Sequence, residues 1–119
     1  MTLKVDNIQT TAGVTLYSCK AFLNYDQVGT TTIFSKDNIA TWTDAGTGLA
    51  NVTFTVNLPD TNYCVVVTSG VSAVTTPVAG STRLGMVGNM ATTGFTILIG
   101  DNSTDAATDN ANVSVAVFR

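Results

Sequence analysis

The sequence predicts an all-β chain: an antiparallel β-sandwich of about eight strands, jelly-roll-like in outline, with an extended N-terminal arm. Three observations predict it. Thr and Val are the commonest residues, at 22 and 15 of 119, and branching at Cβ restricts χ1 in a helix while suiting the pleated surface of a strand. Apolar and polar residues alternate in short runs, with no stripe at the helical period. Between the runs recur Gly, Pro, Asn and Asp, the turn chemistry of a sandwich or barrel. At 119 residues one core is expected, burying roughly two-thirds of the unfolded surface.

Residues 1–18 read as an arm or attachment segment. Leu3, Val5, Ile8, Val14 and Leu16 are spaced irregularly among polar residues, with short β-pieces expected around the turn at 10–13. Residues 19–119 read as the sandwich. In 20–25, Ala21, Leu23 and Tyr25 share a face; 30–35 and 39–44 follow, the latter carrying Trp42 on the face of Ala40. Residues 51–58 give the clearest alternation, Val52, Phe54, Val56 and Leu58 against Thr53, Thr55 and Asn57, so one face is core and the other wet. Val65-Val66-Val67 in 63–69 and Ile97-Leu98-Ile99 in 94–100 are apolar on both faces, which predicts cover on both sides and points to a subunit interface. Residues 83–89 and 112–118 complete the set, Val113, Val115 and Val117 facing one way. The expected core is Val52, Phe54, Val56, Val65, Val67, Ile97, Ile99, Val115 and Val117.

Charged residues are 11% of the chain, against about 25% in an ordinary soluble domain. The net charge is −3, and the basic residues Lys4, Lys20, Lys36, Arg83 and Arg119 are scattered, which excludes the clustered cations that phosphates require. No apolar run reaches the roughly 20 residues of a membrane span, and the start lacks the apolar stretch of a signal peptide. Synthesis in a reducing cytoplasm is therefore expected, with Cys19 and Cys64 as two free, buried thiols.

Nucleophilic catalysis by Ser or Cys needs a base, usually His, and the chain has none. All eight acidic residues are Asp, each in or beside a predicted turn, so solvated turns are expected rather than a catalytic pair, and the chain is read as no enzyme. Asp101, Asp105 and Asp109, with Asn102 and Asn110, form a loose set of oxygen ligands without the order of a calcium loop; a hydrophilic loop, with no metal and no cofactor, is expected. The tripeptides starting at Asn51, Asn102 and Asn112 match the glycosylation acceptor no more often than this composition produces by chance. Tyr17, Phe22, Tyr25, Trp42 and Tyr63 could stack on sugars but at strand positions are expected in the core. The long connections 71–82 and 101–112 are the expected recognition surfaces, the alternative being that they are solvated or that Val74, Pro77 and Val78 seal a subunit contact. Asp101, Asn102, Asp105 and Asp109 are the candidate binding residues, with Trp42 and the exposed strand faces next if that loop is not the site.

The run Cys19-Lys20-Ala21-Phe22-Leu23-Asn24-Tyr25 resembles the Lys-Ala-Trp-Val-Asn-Phe opening of a C-terminal domain common in tail fibres and other virion proteins of tailed bacteriophages, especially aquatic ones. Residues 38–48 resemble that family's Asn-Val-Ser-Ser-Ile-Thr-Asp-Asn-Gly-Thr-Gly, and Leu58-Pro59-Asp60-Thr61-Asn62-Tyr63 its Met-Pro-Asp-Ala-Asn-Tyr. The terminal run 113–119 and the arm at 3–10 are also similar, and 70–112 is unmatched in detail. Phe22 stands where the family usually has Trp. These motifs are turns and core strands and carry over no catalytic residue.

The resemblance implies a non-enzymatic virion structural protein, a tail-fibre or fibre-tip module for host attachment. It further implies a homotrimer, other virion proteins as partners and a host-surface glycan or protein as receptor. Typical members end long fibre proteins; a chain starting at its own Met1 would instead dock through this domain or its arm. Hence the alternative of a capsid decoration protein stabilising the head. A free carbohydrate-binding module is the third reading.

Overall fold

The computed structural model describes residues 8–9, 11–13, 15–16, 18–70 and 82–119. Two short strands, β1 (Ile8–Gln9) and β2 (Thr15–Leu16), pair antiparallel with each other and form a sheet of their own. The body consists of β3 (Cys19–Asp26), β4 (Thr32–Asp37), β5 (Ile39–Gly46), β6 (Leu49–Phe54), β7 (Cys64–Gly70), β8 (Arg83–Ala91), β9 (Gly94–Asp101), β10 (Ala106–Ala107) and β11 (Asn112–Phe118). No described residue is helical.

The strands form two antiparallel sheets packed face to face. One has the order β4-β3-β11-β7; in the other β5 and β6 lead to β9, which pairs β8 along its opposite edge and β10 beyond β6. Alternation decides what lies between them. Ala21, Leu23, Tyr25, Val113, Val115 and Val117 point inward from the four-stranded sheet, and Ile39, Val52, Phe54, Phe95, Ile97 and Ile99 from the other. Near one end Phe54, Tyr63 and Phe95 meet edge-on and tilted, with centroids 5.7–6.4 Å apart. Such tilted pairs set the positive ring edge against a negative face.

Eight of the nine expected core residues are buried or packed against the core, Val65 and Val67 only partly buried. Val56 is the exception, at 68% exposure. The strand expected over 51–58 stops at Phe54, because Asn38 captures the chain beyond it. Its backbone takes φ 54°, its side chain accepts from Val56 N at 2.7 Å and donates to Val56 O, and its carbonyl accepts from Thr55 N. Leu58 returns to the core, its N–H bound to Thr92 O.

The cysteines also depart from expectation. Both thiols are free, as expected, but exposed rather than buried. Phe118 pairs Cys19 on one side and Cys64 on the other, so two strand spacings, about 10 Å, separate them. A disulfide needs Cα atoms within about 7 Å.

Strand direction gives the body two unlike ends. Ser18 and Arg119 lie together, Arg119 N donating to Ser18 O at 3.3 Å. Around this proximal end sit the β4–β5 corner at Asn38, the connection 55–63 and the β8–β9 turn. At the opposite, distal end lie 27–31, the β5–β6 turn at Gly46–Gly48 and the connection from Asp101 to Asn112. β7 ends and β8 begins there; residues 71–81, most of the other expected recognition loop, lie outside the described residues.

Candidate functional site, the distal loops and the open sheet faces

Asp101, at the end of β9, uses its carboxylate inside its own turn. It accepts from Ser103 N at 2.8 Å and Ser103 Oγ at 2.6 Å and pairs with Arg83 across the β8–β9 ladder at 3.0 Å. The Ser103 bonds, with Arg83 adding to them, hold the carboxyl below its usual range. Asp109 is likewise structural, accepting from Gly48 N at 2.7 Å. Gly48 has φ 67°, and a Cβ there would lie 2.5 Å from Ile99 O, so this turn demands glycine.

Asn102 and Asp105 are different: exposed, with no side-chain hydrogen bond among the described residues. Asp105 occupies the left-handed region at φ 54°, which Asp tolerates. Trp42 is half-buried; its ring packs against Tyr25, tilted by 56° at a centroid distance of 5.1 Å, and its indole N–H has no hydrogen-bond partner among the described residues. The expected binding residues thus divide. Asp101, Asp109 and Trp42 build the domain, whereas Asn102 and Asp105 are presented to solvent. Among the described residues no three carboxylates or thiols come close enough to hold a metal ion.

Beneath the distal loops two amides are buried. Gln27 donates from Nε2 to Gly46 O and Leu49 O, both at 3.2 Å, which ties the end of β3 to the opposite sheet, and its backbone N–H binds Asn110 O ahead of β11. Gln27 Oε1 and Asn110 Nδ2 have no hydrogen-bond partner among the described residues. The sequence reading missed Gln27; a lone Gln between a strand and a Val-Gly turn carries no signal of burial.

No family model, no curated protein and no solved structure matches the chain.

Charge separates along the strands. Of the seven described aspartates, Asp26, Asp44, Asp101, Asp105 and Asp109 lie at the distal end, with Arg83 as the described cation there. Lys20, Lys36 and Arg119 lie at the proximal end with Asp37 and Asp60. Asp60 and Arg119 form a bidentate pair, Nε to Oδ1 at 3.0 Å and Nη2 to Oδ2 at 2.5 Å. The Arg119 bonds, with Asn62 N–H added, bring Asp60 down to about 2.

The outer faces of both sheets are nearly free of charge. On the four-stranded sheet the register sets Phe22, Ala116 and Val66 in one row and Phe118 beside Cys64 in the next, all toward the proximal end. Asn24, Ser114 and Thr68 make the following row, fastened by Asn24 Nδ2. On the other sheet the apolar row Met86, Leu98, Leu49 lies toward the distal end. Its proximal half is a hydroxyl and amide ladder, Thr96 to Asn51 at 2.8 Å and Thr41 with Thr53 at 2.5 Å. Val66 at 47% and Met86 at 54% remain open to solvent.

Proposed function

We propose that this domain is a non-enzymatic module of a tailed-bacteriophage virion, a tail-fibre or fibre-tip unit for host attachment, and that it works in three copies. One observation carries the reading: the arm joins the body at one end, while Asn102, Asp105 and the connection from Asp101 to Asn112 lie at the other. A rigid sandwich held at its proximal end presents its distal loops outward, where they can vary without disturbing the core. The resemblance of 19–25, 38–48, 58–63 and 113–119 to phage fibre domains supports the virion context. The receptor, on this reading, is a host-surface glycan or protein met by the distal loops.

The test separates contact from folding. Asn102→Ala with Asp105→Asn removes the two solvent-presented groups and keeps a residue that tolerates φ 54° at position 105. Adsorption of particles carrying the double variant to host cells is expected to fall at least tenfold with melting temperature unchanged. Unchanged adsorption removes this loop from the receptor site.

A second reading is favoured by the outer faces, which carry little charge and suit docking on a protein lattice: a capsid decoration protein that stabilises the head. On that reading, particles lacking the protein keep their adsorption rate and lose resistance to heat.

A further inference from the structure

We infer that the copies meet through the proximal half of the outer face of the four-stranded sheet, around Phe22, Val66, Ala116 and Phe118, each copy covering this patch on a second copy. The inference rests on the three-copy reading above and names the surface that reading lacks.

Two apolar patches compete for the role, and charge decides between them. The Leu84, Met86, Leu98 patch adjoins the distal end, where five carboxylates face one guanidinium. Copies joined there would crowd those carboxylates together, and like charges brought close oppose association. The Phe22, Val66 patch lies at the other end, where Lys20, Lys36 and Arg119 outnumber Asp37 and Asp60. Its border carries both signs: Asp37 is the register partner of Phe22, and Lys20 precedes Phe22 by two residues on the same strand. A neighbour rotated about an axis along the strands can therefore set Lys20 of one copy against Asp37 of the next, while the aromatic centre, free of charge, loses its water. An uncharged aromatic centre with a charged border is the anatomy of protein interfaces. The patch also lies where the arm joins the body, so anything that gathers the arms raises the local concentration of these faces.

Cys64 reports on the patch, being exposed in the single chain and beside Phe118. Sedimentation of the full chain, with alkylation of its thiols, tests the proposal in three proteins. The wild type is expected to sediment as a trimer with Cys64 protected from alkylation. Phe22→Asp with Val66→Asp is expected to give a folded monomer, its β-sheet circular dichroism retained and Cys64 alkylated at least tenfold faster. Met86→Asp, on the other sheet, is expected to remain trimeric. A wild-type trimer that survives Phe22→Asp with Val66→Asp, or that Met86→Asp dissociates, overturns the surface and leaves the three-copy reading standing. A wild-type monomer with reactive Cys64 overturns both. If the double variant fails to fold, Lys20→Asp, at the rim, decides: it is expected to weaken the trimer at least tenfold, with recovery when Asp37→Lys is added, and the absence of both effects overturns the surface.

Discussion

Tyr25 and Tyr63 are both buried phenols, yet removing the hydroxyl is expected to act differently at the two positions. Tyr63 OH lies within hydrogen-bond reach of Ala91 O and Gly94 O, at 2.9 and 3.0 Å. It thereby ties the chain ahead of β7 to the β8–β9 turn. Tyr63→Phe is expected to cost about 1 kcal/mol, the net value of such a bond, read as a fall in the urea midpoint. Tyr25 OH has no hydrogen-bond partner among the described residues, and burial pushes it up to about 12, with the neighbouring Trp42 indole opposing the shift. Tyr25→Phe relieves that desolvation and is expected to leave stability unchanged or raised below pH 10. Above it the sign is set by linkage. A phenol held neutral in the folded state but ionising near pH 10 when unfolded makes stability fall between about pH 10 and 12. Tyr25→Phe is expected to flatten that alkaline limb; an alkaline limb of unaltered slope contradicts the assignment.

Among the strands, β6 and β9 leave no room for a side chain where they pair at Gly94. Gly94 pairs Thr53, and a Cβ at Gly94 would collide with Val52 O. Gly94→Ala is expected to destabilise by about 3 kcal/mol or more, since neither backbone can give way; a thermal melt within two or three degrees of wild type, roughly 1 kcal/mol, would contradict this packing. The Asp60–Arg119 pair fastens the last strand to the β6–β7 connection. Its carboxylate, lowered to about 2, contributes stability that is present above the unfolded value near pH 4 and lost as pH falls through about 2. Asp60→Asn is expected to remove part of the acid limb of a stability–pH curve while changing little at high salt, where an exposed pair is screened.

At this scale the sequence was legible wherever a two-residue period ran without interruption. Ala21, Leu23 and Tyr25 share a face as their spacing requires, and so do Val113, Val115 and Val117. It misled at Val56, because Asn38 ends that strand by a bond between residues 18 apart, which periodicity does not encode. Cys19 and Cys64 were misplaced for a similar reason. Cysteine is a residue type usually buried, whereas strand order alone sets these two beside Phe118 on an uncovered face. Of the candidate site, the location of Asn102 and Asp105 in a solvent-facing turn was readable from composition. The engagement of Asp101 with Arg83 and of Asp109 with Gly48 was not, since it depends on groups arriving from distant parts of the chain.

Over the whole molecule, the two ends differ in charge, while both are fastened by bonds between elements. Asn38 to Val56, Tyr63 to Ala91 and Arg119 to Asp60 fasten the proximal end. At the distal end Gln27 to Gly46 and Leu49, Gly48 to Asp109 and Arg83 to Asp101 do the same, and Asp26 and Asp44 serve their own turns. A frame fixed at both ends suits a module held at one that presents the exposed Asn102 and Asp105 at the other. The direct measurement is an electron-microscopy map of the virion with this chain located in it. The proposed function predicts the Ser18 and Arg119 end turned toward the particle, and Asn102 and Asp105 facing outward, clear of other virion proteins. A map in which the distal loops are buried against the capsid or a fibre shaft, with the proximal end exposed, would contradict it.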